Sequence, residues 1–290
     1  MRRLLIVGFG DIASRMVPLL RGRYRLFALA RSTPRAAQMR AMGVTPVVGD
    51  LDHPASLYRL GGLSHDVLHL APPPATGTVD TRTTHLLRAL AGRGTLPQRL
   101  VYLSTSGVYG DRAGAVVRES DPLNAQTERG RLRVDAERQL RRWGRALRSR
   151  VCILRVPGIY GHDRLPLDRL RRGTPSLVAE EDSYTNHVHA DDLALLVMLA
   201  LNRGQASRAY HASDGQWMKA GDYFDAVADA FDLPRPRRIA RAQAAAEIPA
   251  NALSFLLESR RLCNRRMLEE LHAHLRYPTV AHTLSQIKPK

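Results

Sequence analysis

Short apolar runs alternate with amphipathic stretches along the first half of the chain. Residues 3–8 (RLLIVG), 25–30 (RLFALA), 45–49 (TPVVG), 66–71 (DVLHLA), 99–104 (RLVYLS) and 150–156 (RVCILRV) are each brief and apolar, as strands buried on both faces are. Between them, residues 11–22, 34–43 and 81–94 carry helical spacing, and Gly43 supplies a stop signal. Strand and helix in alternation need crossover connections, which are right-handed. The pattern therefore predicts a parallel sheet covered on both faces, a doubly wound α/β fold.

The rhythm loosens after about residue 156. A helix is expected after Asp191 and Asp192, a strand at 208–213, a helix at 222–231, and a tail from 240 to 290 that is helical and then irregular. No internal repeat and no low-complexity linker interrupts the chain. The expected organisation is an α/β core over residues 1–157, with 158–290 supplying the remaining core strand or strands and a smaller C-terminal lobe.

The stretch TERGRLRVDAERQL, residues 127–140, poses the sharpest question. At helical spacing it sets Arg129, Arg133 and Glu137 in one row, beside an apolar row of Leu132, Ala136, Leu140, Trp143 and Leu147. Such a row suits a solvated face, a nucleic-acid stripe, or an active-site helix with substituted chemistry.

Composition narrows the choice. A net charge of +17 invites a nucleic-acid reading, but of 44 basic residues only Lys219, Lys288 and Lys290 are lysines, and no block of five like charges occurs. Scattered solvated arginine is the simpler account, and no specific nucleic-acid partner is expected. Two cysteines, Cys152 and Cys263, make neither a disulfide framework nor a metal spacing, so a reducing compartment and no metal are expected. The opening MRRLLIVGFG imitates a signal peptide, yet its apolar run is too short for one. The longest apolar stretch, residues 193–201, is about half a membrane span, so a cytoplasmic protein without membrane contact is expected.

The segment VGFGDIA places Gly8, Gly10 and Ala13 in G-x-G-x-x-A spacing between the first strand and the first helix. There Gly8 makes the tight turn, Gly10 lets a diphosphate approach the backbone, and Ala13 lets helix and strand pack. Free N–H groups around Asp11 and Ile12 at the helix start would hold the phosphates. An NAD site usually carries an acid about twenty residues on; here none occurs from Ile12 to Gly49, and the second strand ends in Arg31 and Ser32 with Arg35 close behind. Guanidinium groups there suit a 2′-phosphate, so NADP(H) is the preferred cofactor and NAD(H) the alternative. Asp50 and Leu51 would border the adenine, and Ala71 and Pro72 would line the dinucleotide cleft. Ser104, Thr105 and Ser106 end the fifth strand, where open α/β sheets bind ligands, and their hydroxyls could hold a reacting oxygen or simply form the turn.

With VGFGDIA, GDL (49–51), HLA (69–71), LSTSGVYG (103–110), LRVPGIYG (154–161) and NHVHADDLA (186–194) in this order, the chain resembles the extended short-chain dehydrogenase/reductases, the NAD-dependent epimerase/dehydratase group. The likeness implies a Rossmann-type fold with a C-terminal substrate lobe, to which SRRLCNRRM (259–267) and RYPT (276–279) are similar. It also implies a hydroxyl at Thr105 or Ser106 that polarises the substrate oxygen, and cofactor contacts at Ser104, Arg133 and Pro157. The group's Tyr and Lys fall at Arg129 and Arg133 when Gly130 and Glu137 anchor the register. A looser register pairs Thr127 with Arg131 and supplies no Tyr either.

Arginine cannot exchange a proton near neutrality, so the tyrosine mechanism is not expected to operate. In this the chain resembles the atypical, YeeZ-like branch. Tyr109, Tyr160, Tyr184 and His189 are candidate replacements, and Arg129 could clamp an anion or an oxyanion. Helix pairing near 81–94 and 127–147 in the group allows a homodimer. The expected function is an NADP(H)-binding oxidoreductase or epimerase acting on a small anionic carbonyl or sugar-derived molecule. The competing reading is a cofactor-binding sensor or scaffold without turnover.

Overall fold

The computed structural model describes residues 1–92, 94–249, 252–253 and 256–287. Residue 93 of the 81–94 helix expectation and parts of the tail expectation lie outside the described residues.

Six strand and helix elements open the chain: β1 (Arg2–Val7), α1 (Asp11–Leu20), β2 (Tyr24–Ala30), α2 (Thr33–Ala41), β3 (Thr45–Val48) and β4 (Asp66–His69). After them come α3 (Thr81–Ala91), β5 (Arg99–Thr105), the two-residue β6 (Val116–Val117), α4 (Glu128–Ala146) and β7 (Arg150–Val156). These bounds follow the expected segments, with helices ending a residue or more early.

The later chain holds β8 (Gly158–Tyr160), α5 (Leu167–Arg171), β9 (Ser176–Leu177), β10 (Tyr184–Thr185), β11 (His187–His189), α6 (Ala190–Arg203) and β12 (Ala209–His211). It continues with β13 (Met218–Lys219), α7 (Ala220–Ala230), β14 (Arg238–Ile239) and β15 (Arg261–Leu262).

Among the described residues one seven-stranded sheet runs in the order β12-β7-β5-β4-β1-β2-β3, and every pairing in it is parallel. The fold is α/β and doubly wound. The strand order reverses between β1 and β4, the switch point at which such sheets open a crevice at their carboxyl ends.

Period-two alternation in β1 decides which layer each side chain joins. Leu4 and Ile6 pack with Met16, Val17 and Leu20 of α1 and Leu193, Leu196 and Val197 of α6. Leu5 and Val7 turn to the other face, against Leu86 and Leu90 of α3 and Ala136 and Leu140 of α4. Each fully buried leucine or valine contributes about 1.5–3 kcal/mol. A continuous apolar strand is thus the requirement of a sheet with two covers.

Among the described residues four two-stranded pairs, β8 with β11, β6 with β15, β9 with β14 and β10 with β13, lie outside the main sheet. No described helix is long and apolar enough to cross a membrane.

Candidate active site

The turn after β1 is shaped by backbone alone. Gly8 has φ +97°, and a β-carbon there would fall 2.4 Å from the Ala71 nitrogen. Only glycine fits, because the end of β4 is drawn against the loop by a 2.7 Å bond from Leu70 N–H to the Val7 carbonyl. Gly10 is different: its φ is an ordinary −101°, and a β-carbon would meet nothing within 4 Å. The space over Gly10 is therefore open cleft. Gly10 caps α1 without a side-chain hydrogen bond, so N–H groups at the helix start remain available to an anion.

These features fit a dinucleotide diphosphate. One charge opposes it: Asp11 stands in the first turn, and its carboxylate is occupied by Arg15 at 2.9 Å and Arg164 at 2.8 Å. Arg15 also grips Asp163 and Asp191, which ties the start of α1 to the later chain. Ile12 and Ala13 are buried beneath the loop.

A cavity of about 780 Å³ runs from this loop to the ends of β5 and β7. Gly8, Gly10, Asp11, Ile12, Ala13, Ser104, Thr105, Ser106, Arg129, Arg133 and Pro157 all line it, so the structure brings these expected positions together. Its lining stops short of Arg31, Ser32, Arg35, Asp50, Leu51, Ala71 and Pro72. Of these, Ala71 backs the Gly8 turn, and Leu51 is packed in the core with its carbonyl accepting from His85 at 2.6 Å. Arg35 braces the loop by donating to the Phe9 carbonyl at 2.6 Å. Asp50 accepts from the Asp52 amide at 3.0 Å, and the Pro72 carbonyl accepts from Arg82 at 3.3 Å. Arg31 and Ser32 are exposed just after β2. The Arg82 hydrogen bond holds the Asp52 carboxyl below the usual range, with a smaller contribution from the charge of Arg31.

The three hydroxyls at the end of β5 are not equivalent. Ser104 donates to Glu137 at 2.7 Å, so its proton is committed to the interior. Thr105 Oγ1 accepts from the Gly107 amide at 3.2 Å, and Ser106 Oγ accepts from Arg260 at 3.4 Å. An oxygen that accepts from behind keeps its own hydrogen free to donate. Of the three, Thr105 and Ser106 therefore keep a hydroxyl hydrogen that a ligand oxygen could accept.

α4 delivers the arginine row to this place. Thr127 caps the helix by accepting from Gly130 N–H at 3.1 Å, and Glu128 accepts from the Gly77 amide at 2.6 Å. Arg133 is buried and donates to the Tyr102 hydroxyl at 2.9 Å and the Leu103 carbonyl at 2.6 Å. Glu137 is buried against Arg155. The row is thus no solvated stripe, since two of its three members face inward. Arg129 stays exposed at the cleft, with no hydrogen-bond or ion-pair partner among the described residues. Partial desolvation, and then the charge of Arg133, lower its pKa, yet it remains a cation. In the looser register Arg131 only donates to the Gln126 carbonyl at 2.8 Å.

The candidate proton carriers separate clearly. Tyr109 is buried and bonded to His211 at 2.6 Å and to Arg155; Tyr160 is buried with its hydroxyl 3.2 Å from Thr283. His189 accepts from Asp191 N–H at 3.2 Å, stacks on Tyr277 at 3.7 Å, and is pushed down to about 4 by burial. Only Tyr184 of the four lines the cleft, with Lys219 4.5 Å and Arg261 5.0 Å from its ring centre. Sequence reasoning missed Glu258 and Arg260, which line the cleft opposite α4. The signal was faint: an acid just ahead of the SRRLC segment, far along the chain from the motifs it joins.

The sequence profile of the NAD dependent epimerase/dehydratase family matches residues 4–213. The chain belongs to that family. Among solved structures it is similar to a conserved protein of unknown function from Silicibacter pomeroyi, with 27% identity, TM-score 0.81, and coverage of 98% of this chain and 97% of the other. It is also similar to a double mutant of the dTDP-glucose 4,6-dehydratase of Streptomyces venezuelae, solved with NAD and DAU bound (23% identity, TM-score 0.75, 98% and 96% covered). A third is the UDP-glucose 4-epimerase of Thermotoga maritima, solved with UDP-glucose (16% identity, TM-score 0.78, 97% and 96% covered). A search of curated proteins finds no match.

Proposed function

We propose that the protein is an NADP(H)-binding oxidoreductase or epimerase that acts on a small, anionic carbonyl or sugar-derived substrate. The observation that carries this reading is the open cradle over Gly10 at an uncapped helix start, with Arg31 and Ser32 in place of an acid at the end of β2. When bound, the cofactor supplies or takes up a hydride. The chain's own residues do the rest. Thr105 and Ser106 hold the substrate oxygen with their free hydroxyl hydrogens, and Arg129 meets the anionic group with an unpaired guanidinium. The segment after residue 157 supplies the far wall and serves as the substrate lobe.

A second reading, a cofactor sensor without turnover, draws on Arg129 standing where the family's proton-exchanging tyrosine is found. Titration of the full chain with NADPH and NADH tests the first point, with tighter NADPH binding expected and equal or absent binding counting against it. Incubation of the NADPH complex with a panel of sugar nucleotides, sugar acids and keto acids separates the two readings. Loss of NADPH absorbance supports the enzyme.

A further inference from the structure

A proton must enter or leave the substrate oxygen in any such reaction, and the cleft offers few groups that can carry it. Among the described residues its lining contains no histidine, lysine or cysteine; the titratable side chains other than arginine are Asp11, Tyr184 and Glu258. Asp11 sits at the glycine loop, locked between Arg15 and Arg164. Tyr184 lies on the outer wall, where it also borders a shallow surface depression with Asp111 and Lys219. Glu258 alone is beside the hydroxyls. Its Oε2 accepts from Arg260 Nη1 at 2.8 Å, and the same guanidinium reaches Ser106 Oγ through Nη2 at 3.4 Å. One guanidinium width therefore separates the carboxylate from the end of β5.

Gly107 fixes the same arrangement from the other side. A β-carbon at Gly107 would lie 3.5 Å from Thr105 Oγ1 and 3.9 Å from Glu258 Oε2. Its carbonyl lies 3.0 Å from the β-carbon position of Gly130, next to Arg129. Thr105, Ser106, Glu258 and the start of α4 thus converge on one point. The Glu258 side chain is nine-tenths buried, and its Oε1 has no donor among the described residues. A buried acceptor of this kind is left short of one hydrogen bond until a ligand hydroxyl supplies it.

The geometry points to Glu258 as the proton-transfer residue that takes over from the missing tyrosine. The inference rests on the proposed function, because it needs a substrate alcohol or carbonyl at Thr105 and Ser106. In the oxidising direction the substrate O–H proton passes to the Glu258 carboxylate. The electron pair left on oxygen forms the C=O bond, and the C–H hydrogen leaves as hydride to NADP⁺. In the reducing direction the protonated Glu258 returns the proton to the oxygen as NADPH gives up the hydride. Arg260 keeps the carboxylate in place through its 2.8 Å hydrogen bond to Oε2.

The test uses the full chain with NADP⁺ or NADPH and UDP-glucose, dTDP-glucose, glucuronate, glyceraldehyde and 2-keto acids as probes. Glu258→Gln is expected to lower kcat by about a hundredfold or more on whichever probe is turned over. NADPH affinity, read by fluorescence, should stay within about twofold of the parent. Glu258→Ala should recover part of the lost rate when formate is added, which a merely structural role would not produce. A Glu258→Gln protein that retains kcat within about threefold overturns the assignment. NADPH that binds but is consumed with none of the probes overturns it too, while leaving the cofactor reading standing. Absence of NADPH binding removes that reading itself.

Discussion

Arg155 lies across the carboxylate of Glu137, with Nη2 2.8 Å from Oε2 and Nε 3.1 Å from Oε1. Their side chains are 3% and 1% exposed, so solvent screens neither charge. Burial opposes the charge on Arg155, but Glu137 outweighs it and raises the guanidinium pKa further. Glu137 in turn accepts a hydrogen bond from the Ser104 hydroxyl, and Arg155 also reaches the Tyr109 hydroxyl. α4, β5 and β7 are thereby locked to one another beneath the cleft.

Removing one partner strands the other in the interior. Arg155→Ala should cost about 3–5 kcal/mol in denaturant unfolding. Arg155→Met with Glu137→Leu should recover much of that loss, since no charge is then left buried. A single substitution costing less than about 1 kcal/mol would contradict the burial of this pair.

The two loop glycines should respond in opposite ways. Gly8→Ala forces a side chain into a left-handed backbone against the Ala71 amide, and should destabilise the fold by about 1–3 kcal/mol. Gly10→Ala meets no protein atom and should leave stability within about 0.5 kcal/mol. The same change should weaken NADPH binding tenfold or more, at about 1.4 kcal/mol per decade, because its methyl group occupies the cradle. Parallel unfolding and fluorescence titrations check both.

Cofactor choice should rest on Arg31. Arg31→Gln is expected to weaken NADPH about tenfold, the worth of one charged hydrogen bond of about 1.5 kcal/mol, and to leave NADH nearly unchanged. Equal losses for both dinucleotides would place Arg31 away from the 2′-phosphate.

Asp214 gives stability a pH dependence. Its Oδ1 accepts from Gln216 N–H at 3.1 Å, its Oδ2 is buried without a partner among the described residues, and burial pushes its pKa up to about 7, with Asp192 adding to the effect. The folded state therefore holds a proton that the unfolded state has released above about 4. Stability from this group is full below pH 4 and declines as pH rises to about 7. Asp214→Asn should match the parent at pH 4 and unfold at a higher temperature at pH 8. Identical curves at both pH values would show that the side chain is hydrated in solution.

Local patterning carried most of the sheet. β1, β2, β5 and β7 are continuous apolar runs, and α1 and α4 have one apolar stripe each, so their periods reveal them without tertiary knowledge. The short pairs could not be read this way. β6 pairs with β15 through Val116 and Arg261, far apart in sequence, and two residues are too few to show a period. The candidate site divides likewise. Gly8, Gly10, Thr105 and Ser106 follow strands whose ends the pattern fixes, whereas Glu258 and Arg260 reach the cleft only through that long-range pairing. The inward turn of Arg133 was also hidden, because spacing assigns a residue to a row and not the direction of its guanidinium.

β12 is contributed by residues 209–211, yet it borders β7 on the main sheet. The outermost ribbon of the nucleotide-binding layer is thus borrowed from the half of the chain that forms the far wall. A fragment cut after residue 157 would bare the amides and carbonyls of β7 and invite self-association. Any graft that exchanges the distal half between relatives has to carry its own edge ribbon across the junction, and modularity here is bounded by that requirement.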